Sequence, residues 1–322
     1  MRFECKPVYN NWGVRLLLVC QNPSVQNTAV IPKGSRKPIG ARLFPILARK
    51  AHHAVIFRRG PSRWVQLIKW NTDTDAFESG QWFHGRIYER RCDLSPDGSL
   101  LVYFAQKISA RSLKDNEYTS AWTAVSKPPY LTALALWPQR DCFNGGGLFQ
   151  SDKALVLYHI GEVTAHPNHK PPGWLHITSS DRGRGDDDPL FSDRIERDGW
   201  KLKQEWKVEH RGYPKWNRTV QAEIREKLSL NGKFVLRLER SIDGLKYAER
   251  FSVMCAEKPI WTPITRASWA DWDQNGRLVF CRDGKVLTSR PEADGLGIEA
   301  ELADFNSAKP EPLPPPRGAT IW

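Results

Sequence analysis

An all-β ring of short, repeated sheets is the fold class this sequence predicts, and three observations carry it. Between Trp269 and Leu287, short apolar runs are separated by Asn275-Gly276 and Asp283-Gly284. This reads as strand, turn, strand, turn, strand, because Asn, Asp and Gly accept the positive φ of tight turns. The same order of events returns along the chain at intervals of roughly 45 residues, the spacing of four-stranded β repeats. Fourteen Trp supply broad apolar rings of the kind that stacked sheets bury between them. A β-propeller has this signature, since a single four-stranded blade cannot cover both of its own faces.

The blades follow from two markers. A Pro beside Lys, with an apolar or aromatic residue close behind, occurs at Pro38, Pro128, Pro171, Pro214, Pro259 and Pro310, and Trp82 fills the remaining slot. An apolar strand after a Gly-containing turn begins near Ala54, Leu101, Leu148, Leu190, Phe234 and Leu278. Together they predict one domain, 1–322, with blades near 38–81, 82–127, 128–170, 171–213, 214–258 and 259–309. A seventh, closing blade is expected from 1–37 plus 310–322, with Gly318-Ala319-Thr320-Ile321-Trp322 as its innermost strand. Six blades with a free tail is the alternative. Leu313-Pro314-Pro315-Pro316 is extended by its own stereochemistry and reads as a surface strap. Ser179 to Asp188 reads as an exposed loop. Val220 to Leu228 has helical propensity, but the repeat phase predicts a strand there, and tertiary context overrides propensity.

The run Cys92-Asp93-Leu94-Ser95-Pro96-Asp97-Gly98-Ser99-Leu100-Leu101-Val102-Tyr103 resembles the inner-strand turn of WD-repeat and related propeller families. Leu67-Ile68-Lys69-Trp70-Asn71 resembles their third strand. The Gly-His pair of the WD repeat is absent and Trp-Asp occurs once, at Trp272-Asp273, without recurring with the repeat, so the resemblance is one of architecture. It implies a binding platform without catalytic residues.

Lys plus Arg number 48 against 36 Asp plus Glu, a net charge of +12, which suits an acidic partner or simple solubility. The six Cys are scattered with no C-x-x-C pair, which argues against zinc ribbons and points to a reducing compartment. Leu16-Leu17-Leu18-Val19-Cys20 is too short for a signal or membrane segment, so a cytoplasmic protein without membrane contact is expected.

No nucleophile elbow, phosphate loop, dinucleotide fingerprint or H-E-x-x-H motif occurs. His52-His53 would point to opposite faces of a strand, His159, His166, His169 and His176 are loosely spaced, and Asp186-Asp187-Asp188 lacks calcium-loop spacing. Neither a metal nor a cofactor is therefore expected. Asp93, Glu223, Asp271 and Asp273 are the inner-strand acids that a carbohydrate-active or other hydrolytic propeller could use in its channel, which is the second functional reading.

The first reading is a non-enzymatic binding or scaffold propeller that presents a basic, aromatic-studded face to an acidic protein segment or nucleic acid. Marker loops and hairpins are expected to leave the ring on one side. They bring together Lys37, Arg58, Arg59, Arg63, Lys127, Lys170, Lys215 and Lys258, with Tyr130, Trp174, Trp216 and Trp261 beside them. Cations interleaved with rings suit phosphate contact plus base stacking, or an anchored protein interface. Packing of those rings between blades is the competing explanation.

Overall fold

The computed structural model describes residues 40–322, apart from 61, 111, 162, 183–186, 188, 211–217 and 244–245. These residues form five consecutive sheets. The first contains β1 (Arg42–Leu47), β2 (His53–Arg59), β3 (Trp64–Asn71) and β4 (Ala76–His84) as an antiparallel meander. In the second, β5 (Arg86–Ile87) and β6 (Asp93–Leu94), split by a 3-10 turn at Glu89–Arg91, both pair with β7 (Leu101–Gln106). Outward from β7 lie β8 (Ala121–Ser126) and β9 (Ala135–Gln139). The third sheet has β10 (Gly147–Ser151), β11 (Ala154–Leu157) and a parallel β12 (His176–Ser179). A helix, α1 (Leu190–Arg197), precedes the fourth.

That fourth sheet runs β13 (Lys201–His210), β14 (Arg218–Leu228), β15 (Phe234–Asp243), β16 (Lys246–Cys255) and β17 (Lys258–Pro263). The fifth has β18 (Trp269–Trp272), β19 (Leu278–Arg282), β20 (Lys285–Ser289) and β21 (Glu299–Asp304).

The sheets stand round a common axis as the blades of a single β-propeller. Hydrophobic clusters join the first sheet to the second, the second to the third and the fourth to the fifth. Leu43, Ile56 and Trp70 of the first pack with Val279, Cys281 and Val286 of the fifth, which closes the ring. The first turns of the blades touch in sequence. Gln274 Nε2 donates to the carbonyls of Ala48 and His53 (2.7 and 3.0 Å), Lys50 N to Pro96 O (2.8 Å), and Asp97 N to Asp152 Oδ1 (2.8 Å). Strands covered on both faces carry unbroken apolar runs: Ala54 to Phe57, Leu101 to Ala105 and Leu278 to Cys281 are buried throughout. In β15, Leu236, Leu238 and Arg240 are buried and Glu239 is exposed, so that sheet buries one face only.

The blade count is five among the described residues, not seven or six. The Pro markers do not sit at one place in a blade: Pro128 is in the turn after β8, Pro171 precedes β12, and Pro259 lies inside β17. The strand marker locates β2, β7, β10, β15 and β19, but at Leu190 it meets α1. Leu190, Phe191, Arg194 and Ile195 are buried at helical spacing. The helix ends where Gly199, at φ +99°, takes the left-handed conformation that lets Gly199 N reach Glu196 O and Trp200 N reach Ile195 O. Val220 to Leu228 lies in β14, a strand and not a helix, but where the phase predicts an inner strand it is second in its sheet, beside the edge strand β13. Residues 1–37 of the expected closing blade lie outside the described residues. Its C-terminal part is not a strand: Arg317–Ala319 form a 3-10 turn, while Leu313 is strapped to the first sheet by Gln81 Nε2 (3.0 Å).

Candidate functional site

Helix α1 stands at the hub, and its side chains reach all five blades. Phe191 packs on Phe44 of β1 with ring centroids 6.2 Å apart. Arg194 donates to the carbonyls of Cys92 and Glu89, and Tyr158 OH donates to Asp193 at 2.6 Å. Arg240 donates to Ser192 Oγ at 2.8 Å, while Phe191 and Ile195 share the core of the fourth and fifth blades. The most densely charged group is Asp93–Arg197–Asp198. Arg197 grips Asp93 in bidentate fashion (2.6 and 2.9 Å), and its Nε and Nη2 donate to Asp198 (2.9 and 2.8 Å). Burial, with Asp93 adding repulsion, pushes the Asp198 carboxyl up against the pull of Arg197. Arg197 itself is shifted upward despite burial, because two carboxylates hold its charge.

Beside this group lies a cavity of about 400 Å³ between β1, α1, the β14–β16 sheet and β18. Phe44, Phe251 and Trp272 give it apolar walls, and Arg49, Arg197, Lys227 and Asp271 are among its polar groups. Lys227 Nζ donates to Asp271 at 2.6 Å, and Trp272 N donates to the same carboxylate at 2.7 Å.

The four expected channel acids are each held by a cation. Asp93 is bound by Arg197 and Asp271 by Lys227, whereas Glu223 accepts from Arg225 and Arg240 at 2.9 and 2.8 Å. Asp273 accepts from Arg277 Nε at 2.7 Å and from two backbone N–H groups of its own turn. Only Asp271 and Asp273 line the cavity.

The expected basic face is divided. Arg58 and Arg59 end β2 and Arg63 lies in the β2–β3 turn, whereas Lys127 follows β8 and so leaves its sheet at the opposite end, because successive turns of an antiparallel meander alternate ends. Arg58 is buried and donates to the carbonyls of Phe305 and Asn306 (3.1 and 3.3 Å), which fastens the first blade to the fifth. Arg59 donates to Ile87 O at 2.5 Å and pairs with Glu89 at 3.0 Å. Lys127 Nζ is taken by the carbonyls of Gly318 and Ile321 (3.0 and 2.7 Å). Lys258 pairs with Asp294. Arg63 and Lys170 are exposed, and Tyr130 is half-buried. Trp174 meets Trp322 edge to face at 5.7 Å, and Trp261 lies under Arg237 at 3.6 Å. Lys37, Lys215 and Trp216 lie outside the described residues.

Sequence reasoning missed the exposed strand β13 and the hub helix. The β13 signal was the alternation Lys201-Leu202-Lys203-Gln204-Glu205-Trp206-Lys207; that of α1 was the Asp198-Gly199 stop. Among the described residues, no group of three or more His, Cys, Asp or Glu is placed to hold a metal, and no helix is long and apolar enough to cross a membrane.

The described residues thus define a five-bladed β-propeller with a helix at its hub. No family model matches the chain, and no curated protein is similar to it in sequence. Among solved structures, the β-propeller domain of the Trilobed protease from Pyrococcus furiosus, described as having an open velcro topology, is similar at 11% identity. The match covers 84% of this chain and 100% of that one, with a TM-score of 0.28.

Proposed function

We propose that this chain is a non-enzymatic binding propeller whose partner is an acidic, extended protein segment, with nucleic acid as the competing ligand. The observation that supports it is β13. It is an edge of the fourth sheet, it is exposed from Lys201 to Lys207, and it presents Lys201, Lys203 and Lys207 alongside Trp206 (39% exposed). An edge strand offers unpaired N–H and C=O groups to an incoming strand. Its lysines, with a bulge at Lys203, discourage indiscriminate pairing, which leaves an acidic strand as the complementary occupant. Trp206 supplies a rigid aromatic anchor beside them.

The test uses a labelled peptide of alternating Glu and Val, and a labelled single-stranded oligonucleotide, each at two salt concentrations. The peptide is expected to bind more weakly as salt rises, and Lys203→Glu/Lys207→Glu is expected to lose about tenfold or more in affinity. Binding of the oligonucleotide alone, with log K falling by about 0.7 to 0.9 per contact for each tenfold rise in salt, would make nucleic acid the partner. If neither ligand binds, or the reversed variant matches wild type, the reading fails.

A further inference from the structure

Two of the arginines that line the central cavity lack an ion-pair partner among the described residues. Arg49, Arg194 and Arg197 line it near Asp93 and Asp198, while Lys227 pairs with Asp271, and the lining acids Glu249 and Asp273 are held by Arg90 and Arg277. Both carboxylates of the inner group are bound to Arg197. Arg49 Nη2 donates to the carbonyls of Phe149 and Gln150 (2.6 and 3.3 Å), and Arg194 donates to those of Glu89 and Cys92. Neither of these two has a carboxylate within ion-pair distance among the described residues, and Arg49 Nε is buried without a hydrogen-bond partner. Burial draws both guanidinium groups below their ordinary pKa, a direction that an added anion opposes. The remaining wall is apolar, from Phe44, Leu238, Phe251 and Trp272. At the rim Leu228 and Leu230 are 63% and 75% exposed and carry the apolar wall out towards solvent.

We infer that the hub cavity binds a small organic monoanion with an apolar body, an alkyl or aryl carboxylate, its head group set against Arg49 and Arg194. One carboxylate gives Arg49 and Arg194 the ion-pair partner that both lack among the described residues, and the apolar tail fills the wall towards Leu228 and Leu230. The cavity size, about 400 Å³, falls in the range of small-molecule sites. A bidentate guanidinium–carboxylate contact fits the planar fork of arginine.

Calorimetry on the full chain with octanoate, acetate, octanol and octylamine tests this. Octanoate is expected to bind one to one, more tightly than acetate, with octanol and octylamine at least about tenfold weaker than octanoate. Arg49→Gln is expected to weaken octanoate about tenfold or more. Leu230→Asp, at an exposed rim position, is expected to do the same without shifting the melting temperature. Absence of octanoate binding, octanol binding as tight as octanoate, or Leu230→Asp and a folded Arg49→Gln both equal to wild type would overturn the inference.

Discussion

His159 is buried in the second and third blades' junction, its Nε2 2.9 Å from Thr123 Oγ1. Burial pushes its pKa down to about 4. The folded protein therefore holds a neutral imidazole while the unfolded chain takes a proton near pH 6.5. Its contribution is full above pH 6.5 and is lost as pH falls towards 4, since in that window the unfolded state binds the extra proton. A loss of about 2 kcal/mol is expected between pH 7 and pH 5, and His53, also lowered by burial, adds in the same direction. Urea titrations at the two pH values check it. His159→Gln, which keeps a partner for Thr123, should show a clearly smaller drop, and an unchanged drop would show that another group is responsible. The same scale explains the expected basic set. Sequence reveals that Arg58 and Arg59 are cationic but not that Arg58 ends on the carbonyls of Phe305 and Asn306, 247 and 248 residues away.

Among the elements, the C-terminal strap is fastened at three places: Gln81 to Leu313, Lys127 to Gly318 and Ile321, and Trp322 Nε1 to Lys170 O at 3.1 Å. Trp322 also packs against the core shared by the second and third blades. Removing residues 317–322 takes away one half-buried ring and exposed hydrogen bonds, not a sheet strand. A destabilisation of about 1–3 kcal/mol is expected, read as a lowered thermal midpoint, and no change would show that the strap contributes nothing. The Pro-rich strap was legible because proline fixes φ locally. So were β18, β19 and β20, whose Asn275-Gly276 and Asp283-Gly284 turns lie at positive φ in Gly276, Asp283 and Gly284. The hub was not legible: α1 is about two turns of helix held by tertiary contacts from five blades, and the pairing of Arg197 with Asp93 spans 104 residues. Nor was the fourth sheet's size, because its long alternating strands carry a period-2 pattern without recording how many strands share a sheet.

At the scale of the whole molecule, four blade interfaces are shared cores, and the helix couples the third blade to the fourth. Leu190 packs with Leu148 and Tyr158 of the third blade, one residue before Phe191 enters the core of the fourth and fifth. Phe191 is 6% exposed and meets Phe44 as well as the guanidinium groups of Arg90, Arg194 and Arg240 at 4.5, 5.1 and 5.0 Å. Truncating it to alanine leaves a void at the hub and removes the ring over which three guanidinium groups are stacked, so a loss of about 3–5 kcal/mol is expected. Because the fourth blade shares a core with the fifth and the fifth with the first, where Val279 and Cys281 pack on Ile56 and Trp70, the loss should appear as one lowered transition and not as early melting of the fourth blade. Calorimetry of Phe191→Ala distinguishes the cases: a single endotherm at lower temperature fits a ring that folds as a unit. Two endotherms, one at the wild-type midpoint, would mean that the first three blades are stable without the hub.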